Sequence, residues 1–413
     1  MLDGLIAEAL DRSPRLRAAG ERIAASRARI RPAGSWNDPV VMAGIGQLPI
    51  MQPTLAGSTM LMAGVTQRIP TSGKLALRTQ AAERDADAAA TARDATRLDV
   101  VRAVKEAYYD LVFADQALAI AERSQAVLVD VERVSVALYG AGTGGQQDVL
   151  KARVETARLA ETASALTEAR RAALARLNAA RDRASDTPVD GARIPARIAH
   201  AAIGADVAAV RFSSASLGAR VSGSPLPPLA ELQDAALRTS PTLRADDARI
   251  AAQAARVELA RREYRPDVDV SVQYIHRVAA PDLVTAQVSF PLPRHRAAKQ
   301  DQAVAEAAAE LAALEAERAA DADVVRGRIA TIGSDLERYR TALALYAKAI
   351  LPQSRAGVTS ALAAFQAGRA SLLSVLDLQN TVFNYETAYH RALTDFAKEL
   401  AELEQVTGAE VLP

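Results

Sequence analysis

The chain has 413 residues, a formal net charge of +1, 24% charged residues and only 4% aromatic residues. Without a basic surplus to neutralise phosphates, nucleic acid is not expected as a partner. No cysteine is present, which excludes disulfides, thiolate zinc sites and a cysteine-borne lipid anchor within this sequence. No run of 18 apolar residues occurs, so no membrane-spanning helix is expected. Half the residues count as hydrophobic, but Ala supplies much of that total. An Ala/Glu/Arg/Leu-rich chain poor in aromatics reads as long helices.

The N-terminus has neither a basic n-region nor an apolar h-region and enters a helix at once. This fits either a cytosolic protein or a mature chain that has lost its leader. Residues 3–31 read as one helix, with Leu16, Ile23 and Ile30 spaced by seven. Pro32, Gly34 and Pro39 end it. Trp36 lies near the start of two strand-like segments, at about 40–48 and 58–69, joined by the loop Pro49 to Gly57. Leu61, Ala63, Val65 and Ile69 fall on one face of the second. Met42, Met51, Met60 and Met62 gather here; thioethers suit Cu(I), but methionine packed on a lipid- or core-facing strand is the commoner arrangement.

The breaker Pro70-Thr71-Ser72-Gly73 opens a run without Gly or Pro as far as Gly140. About 65 residues at 1.5 Å each make a helix of roughly 100 Å. Val127, Val131, Val134 and Leu138 mark a seam along it. The Gly-rich tip 140–145 turns the chain into a helix at 146–180. Residues 181–228 carry Pro188, Pro195, Pro225, Pro227 and Pro228 and read as a linker, partly ordered at best.

The plan then repeats. A helix is expected at 229–263, followed by Val268, Val270, Val272 and Tyr274 alternating with polar residues, and by Val284, Ala286, Val288 and Phe290 doing the same. Each strand is about ten residues, enough to cross a bilayer when tilted. Val325, Ile329, Ile332, Leu336, Tyr339, Leu343, Tyr346 and Ile350 step 4-3-4-3-4-3-4, a heptad seam. Pro352 is expected to kink this helix, which runs from 297 to 366. A last helix covers 372–407.

The likeness of the halves is in the residues. Ser13-Pro14 returns as Ser240-Pro241, a displacement of 240 − 13 = 227, and Tyr139-x-x-Gly142 returns as Phe365-x-x-Gly368, displaced by 226. The domains expected are therefore a first repeat at 1–182, a linker at 183–228 and a second repeat at 229–413. Each repeat supplies two strands, so one chain has four. Four strands cannot close a barrel, and an open sheet edge is intolerable in lipid. Three copies would pool twelve strands, within the range of membrane barrels.

In this order the features resemble the TolC-type outer-membrane efflux channels. The resemblance rests on the Ser-Pro pairs, on Gln67-Arg68-Ile69-Pro70-Thr71-Ser72-Gly73-Lys74, on Ala107-Tyr108-Tyr109-Asp110-Leu111, and on the tips at 139–150 and 365–386. The Pro-x-x-Gly-Lys run with the Ala-Tyr-Tyr-Asp-Leu segment is most similar to the heavy-metal resistance branch. The resemblance implies a mainly α fold with a small β part: a trimeric α-barrel of helical hairpins above a shared twelve-stranded transmembrane barrel. It implies a homotrimer in the outer membrane of a Gram-negative cell, its helices in the periplasm, docked to a membrane-fusion adaptor and an inner-membrane resistance-nodulation-division pump. Its cargo would be heavy-metal cations or, alternatively, drugs and other small molecules.

The resemblance also assigns residues. Gln147, Asp148 and Phe365 match places that take part in closing the periplasmic end. Asp377 matches one ring aspartate of the constriction, and Ser374 stands where the other would be. Tyr139, Gly142, Thr143, Gly144, Gly368, Arg369, Ala370 and Ser371 would meet the adaptor. Two departures bear on closure: Ala370 occupies the place of an expected Arg, which is displaced to Arg369, and Phe365 lacks the hydroxyl of a Tyr.

No catalytic set is evident, and neither cofactor nor resident metal is expected. Gly142-x-Gly144 lies in a hairpin tip and lacks the context of a phosphate loop. His200, His276, His295 and His390 share no ligand spacing. Trp36 and Tyr274 suit the lipid–water interface, though ordinary packing explains them as well. The competing class is a coiled-coil scaffold or the adaptor itself, neither of which needs two identically placed strand pairs.

Overall fold

The structure is a computed structural model that describes residues 1–47, 59–203, 227–278 and 280–412. The first inter-strand loop, Pro49 to Gly57, and Met51 within it lie outside the described residues, as do 204–226 of the linker. In chain order the elements are α1 (Leu2–Arg12), α2 (Pro14–Ala28), α3 (Ile30–Gly34), β1 (Val40–Gly46) and β2 (Met60–Ile69). Then come α4 (Lys74–Gly140), α5 (Gln146–Ala180), α6 (Ala196–Ile203), α7 (Leu229–Thr239) and α8 (Pro241–Arg262). They continue with β3 (Val268–Arg277), β4 (Ala280–Ser289), α9 (Gln300–Leu345), α10 (Leu351–Gln366) and α11 (Leu372–Thr407).

The helices expected at 3–31 and 229–263 are each interrupted at the Ser-Pro pair. Proline disfavours helical backbone in the residue before it and has no N–H to give. Ser13 accordingly takes φ −55°, ψ 117° and Ser240 φ −54°, ψ 124°. Ser13 N–H donates to the Ala9 carbonyl at 2.9 Å, and Ser240 N–H to that of Ala236 at 2.8 Å. Each proline then opens the next helix, a position it tolerates well. Donors and acceptors are both displaced by 227 positions, so the sequence repeat is reproduced bond for bond.

The chain divides into two compact units, each drawing on both repeats. The helical unit comprises Met1–Arg17, Asp94–Pro241 and Asp323–Pro413. Its main core takes Val325, Ile329, Ile332, Leu336 and Leu343 from the heptad seam of α9. These share a cluster with Val104, Tyr108 and Leu111 of α4, Leu177 of α5, and Phe396, Leu400 and Leu403 of α11. Full burial of side chains of this size contributes about 1.5–3 kcal/mol each. At Pro352 the helix does not stop: a π turn at Tyr346–Ile350 joins α9 to α10 and places the proline in the first turn of α10. The wider turn moves the carbonyl that the ring would otherwise strike.

Part of the linker is better ordered than its composition suggests. The Asn178 amide donates to the carbonyls of Ser185 and Thr187 at 3.0 and 2.8 Å. Tyr108 hydroxyl donates to the Arg193 carbonyl and accepts from its N–H, both at 2.9 Å. Ile198, Ala201 and Ala202 of α6 are buried. The Arg181 and Arg183 guanidiniums, hydrogen-bonded to Glu8, hold its carboxyl below the usual range and tie α1 to the end of α5.

The sheet unit comprises Ala18–Arg93 and Thr242–Ala322. Its four strands form one antiparallel sheet in the order β1-β2-β3-β4. The register collects the apolar side chains onto one face: Val41 pairs with Val65, Ile45 with Leu61, Val65 with Val272, Ala63 with Tyr274 and Tyr274 with Val284. That face is exposed, with Val41 at 75% and Val284 at 72%. The opposite face carries Thr66, Arg68, Asp269, Ser271, Gln273 and Gln287, with Arg68 Nε donating to Asp269 Oδ1 at 2.8 Å. Met42, Met60 and Met62 lie on this second face, not among the apolar residues as expected.

The run Pro70 to Lys74 fastens the feet of β2 and β3. Lys74 is 1% exposed, and its Nζ meets Glu263 Oε2 at 3.0 Å and Asp267 Oδ1 at 2.9 Å. Thr71 N–H donates to the same Asp267 oxygen at 3.0 Å, and its hydroxyl to the Pro266 carbonyl at 2.6 Å. Gly73 has φ +87°, a left-handed backbone, and a side chain there would strike Arg262. Burial pushes Asp267 up, but the Lys74 ammonium and the Thr71 N–H outweigh it and leave the carboxyl below its ordinary value.

Replacing Lys74 with Met strands a partly buried carboxylate. Loss of one partner from a fully buried pair costs roughly 3–5 kcal/mol, and about 2 kcal/mol is expected here because both carboxylates keep some contact with water. Thermal unfolding in detergent checks this. A depressed carboxyl contributes stability above its ordinary value of 3.8 and loses it as pH falls through the lower folded value. Acidification below about pH 3.8 should therefore destabilise the wild type more than Asp267→Asn.

Candidate functional site

The residues assigned to closure and docking are carried by the two hairpin ends of the helical unit. Both ends have the same backbone. Gly142 and Gly368 take φ +76° and +67°, a conformation that glycine enters without a Cβ penalty. Gly142 N–H donates to the Tyr139 carbonyl and Thr143 N–H to that of Leu138, each at 3.0 Å. At the second end Gly368 N–H donates to Phe365 at 2.9 Å and Arg369 N–H to Ala364 at 2.8 Å. This is the Schellman pattern, which satisfies the last carbonyls of a helix. Every donor and acceptor is displaced by 226 positions.

The side chains differ. Tyr139 is half exposed, whereas Phe365 is 3% exposed. Phe365 belongs to a second core cluster that joins Leu128 and Val131 of α4, Ala152 and Leu159 of α5, and Leu372, Val375 and Leu376 of α11. Such an apolar setting suits a ring without a hydroxyl. Ala370, in the place expected for an Arg, packs against the same cluster. Arg369 and Gly368 are exposed beside it.

Gln147 and Asp148 sit in the first turn of α5, where a carboxylate is favoured by the helix N-terminus; Gln147 is exposed and Asp148 half-buried. Ser371 caps α11, its Oγ accepting from Ser374 N–H at 3.3 Å and lying 3.0 Å from Ser374 Oγ. Ser374 and Asp377 are one turn apart on the exposed side of α11, opposite Val375 and Leu376. Within one chain the structure therefore groups Ser371, Ser374 and Asp377 on one helix face and buries Phe365 away from them.

One further cluster was not legible in the sequence. Glu386 of α11 is buried between Arg123 of α4, at 3.3 Å, and Arg355 of α10, at 2.6 Å. The three residues line a cavity of about 240 Å³ that also contains Pro352 and His390. Burial pushes the His390 imidazole below its ordinary value. The pairing spans 263 positions between Arg123 and Glu386, beyond any periodic signal. Among the described residues no group of acidic or histidine side chains has the arrangement of a metal site.

Residues 5–181, almost the whole first repeat, match the family described as outer membrane efflux protein. The likeness in fold extends over the full length. The outer membrane protein VceC from Vibrio cholerae superposes with a TM-score of 0.77 at 17% identity, covering 99% of this chain and 96% of that one. The outer-membrane channel OprN gives 0.75 at 20% identity, covering 100% and 91%. The CmeC outer membrane channel of Campylobacter jejuni gives 0.75 at 14% identity, covering 100% and 86%. The chain thus shares the fold of these outer-membrane channels over its full length, and its first repeat matches the outer membrane efflux protein family. No curated protein matches it in sequence.

A methyl group added at Gly142 or Gly368 meets no atom within 4 Å. Ala there is thus opposed only by the left-handed backbone, at about 1–2 kcal/mol per site. Gly142→Ala and Gly368→Ala should each lower the unfolding temperature in detergent by a similar small amount, and the double variant by their sum.

Proposed function

We propose that the chain is the outer-membrane component of a tripartite efflux system, three copies forming one conduit from periplasm to exterior. The observation that carries this reading is the sheet. It has an exposed apolar face of about ten-residue strands, and among the described residues β1 and β4 have no partner on their outer sides. In lipid, unpaired backbone groups cost several kcal/mol each. Three sheets joined edge to edge give twelve strands and leave no edge. The two hairpins per chain then form a periplasmic ring whose ends dock on a membrane-fusion adaptor, and through it on a resistance-nodulation-division pump.

Heavy-metal cations are the cargo proposed. The support is the similarity of the Pro70-Thr71-Ser72-Gly73-Lys74 and Ala107-Tyr108-Tyr109-Asp110-Leu111 runs to the metal-resistance branch. Exposed Asp377 at the hairpin end suits a constriction that favours cations.

In detergent the protein should run as a heat-modifiable trimer, and a monomer soluble without detergent would refute the conduit. In planar bilayers Asp377→Ala should raise single-channel conductance or reduce preference for cations. Currents identical to wild type would remove Asp377 from the constriction. Cells lacking the protein should regain metal tolerance when it is restored, without a matching gain in drug tolerance.

A further inference from the structure

The sheet has one anomaly in its patterning. Val41, Ala43 and Ile45 of β1 share the apolar face with Leu61, Ala63 and Val65 of β2, as membrane strands require. Yet Met42, Met60 and Met62 occupy the other face, together with Thr66, Arg68, Ser271 and Gln273. Val40, Ile275 and Leu283 are also on this side, but they carry no donor atom. Each of the three methionines stands directly opposite a glycine: Met42 opposite Gly64, Met62 opposite Gly44, and Met60 opposite Gly46. Met62 lies over the neighbouring strand, its Cε 4.0 Å from where a Cβ would stand at Gly44 and 3.0 Å from that at Gly46. A side chain at 46 would displace it.

The register sets the spacing. Met42 is level with position 64, so the three thioethers stand at levels 64, 62 and 60 of β2. Two residues of an antiparallel strand rise about 6.8 Å, and diagonal neighbours across a strand pair lie about 7–8 Å apart. Flexible thioether arms therefore form a row of soft donors up one wall, adjacent members within reach of a shared ion. Thioethers select soft monovalent ions such as Cu(I) over divalent zinc, calcium or magnesium. Spaced weak sites, not one tight site, are what conduction needs: an ion must bind well enough to enter and loosely enough to leave.

We infer that Met42, Met62 and Met60 form a thioether ladder on the lumen wall of the barrel, a low-affinity path for soft monovalent cations of the Cu(I)/Ag(I) class. The placement of the thioethers follows from the strand register alone. Their role in passage rests on the channel reading proposed above, and narrows its metal cargo to soft ions.

Silver ion is a suitable probe because it undergoes no redox change on binding. The protein has five methionines; labelled with methyl-13C methionine, the full-length detergent-solubilised protein can be titrated with Ag+ and, separately, Zn2+. The expected result is that the Met42, Met60 and Met62 methyl signals shift with Ag+ and not with Zn2+. The triple variant Met42→Leu/Met60→Leu/Met62→Leu conserves volume and apolarity, and should weaken Ag+ binding at least tenfold while still forming trimers. In planar bilayers Ag+ should reduce potassium current through the wild type and not through the triple variant. Equal affinity in wild type and variant, or methyl signals unmoved by Ag+, would overturn the ladder. Methyl shifts without any bilayer current would retain the site but refute the channel. Current without shifts would retain the channel and refute the site.

Discussion

The backbone of a sheet edge must find a partner, and among the described residues of this chain it finds none within the sheet. β1 and β4 are the outer strands, and their apolar side chains are among the most exposed of the molecule. In water such a surface would aggregate; in lipid the apolar face is at home but the edges are not. Both demands are met together when further strands continue the sheet on either side. The helices answer to the same constraint, because the feet of β2 and β3 are where α4 begins and α8 ends.

Those feet are fixed by Lys74, and this changes how the Pro-x-x-Gly-Lys run is understood. Its proline and glycine make the turn, its lysine neutralises Glu263 and Asp267, and Thr71 completes the shell around Asp267. These groups are spent on the ion pairs and the turn at the foot of the sheet. Likewise, in the Ala-Tyr-Tyr-Asp-Leu segment Tyr108 and Tyr109 are core residues, Tyr108 holds the linker, and Asp110 pairs with Lys398. The segments most similar to the metal-resistance branch are thus parts of the frame.

Much of the fold is legible in the chain because punctuation and period agree. α5 and α11 begin and end where Gly tips and seam residues place them, and the strand faces follow alternation. What escaped is of two kinds. Ser13-Pro14 and Ser240-Pro241 mark the repeat plainly, but a proline opening a new helix after a single extended residue has the same local pattern as one inside a longer helix. The second kind is long-range pairing. Lys74 meets Glu263 across 189 positions, and Glu386 meets Arg123 across 263; no periodicity carries such a partnership. For the candidate site, sequence placed Asp377 and Ser374 together on one helix. It could not reveal that Phe365, equivalent to the exposed Tyr139, faces the interior.

That last contrast has its own consequence. The two hairpin ends share one peptide conformation down to the individual carbonyls but display different side chains: a phenol outward on one, a ring turned inward and an arginine outward on the other. Any protein that caps these ends meets two dissimilar docking chemistries on matched mounts. A capping partner can therefore tell the ends apart by their side chains alone, although the backbone presents them as twins.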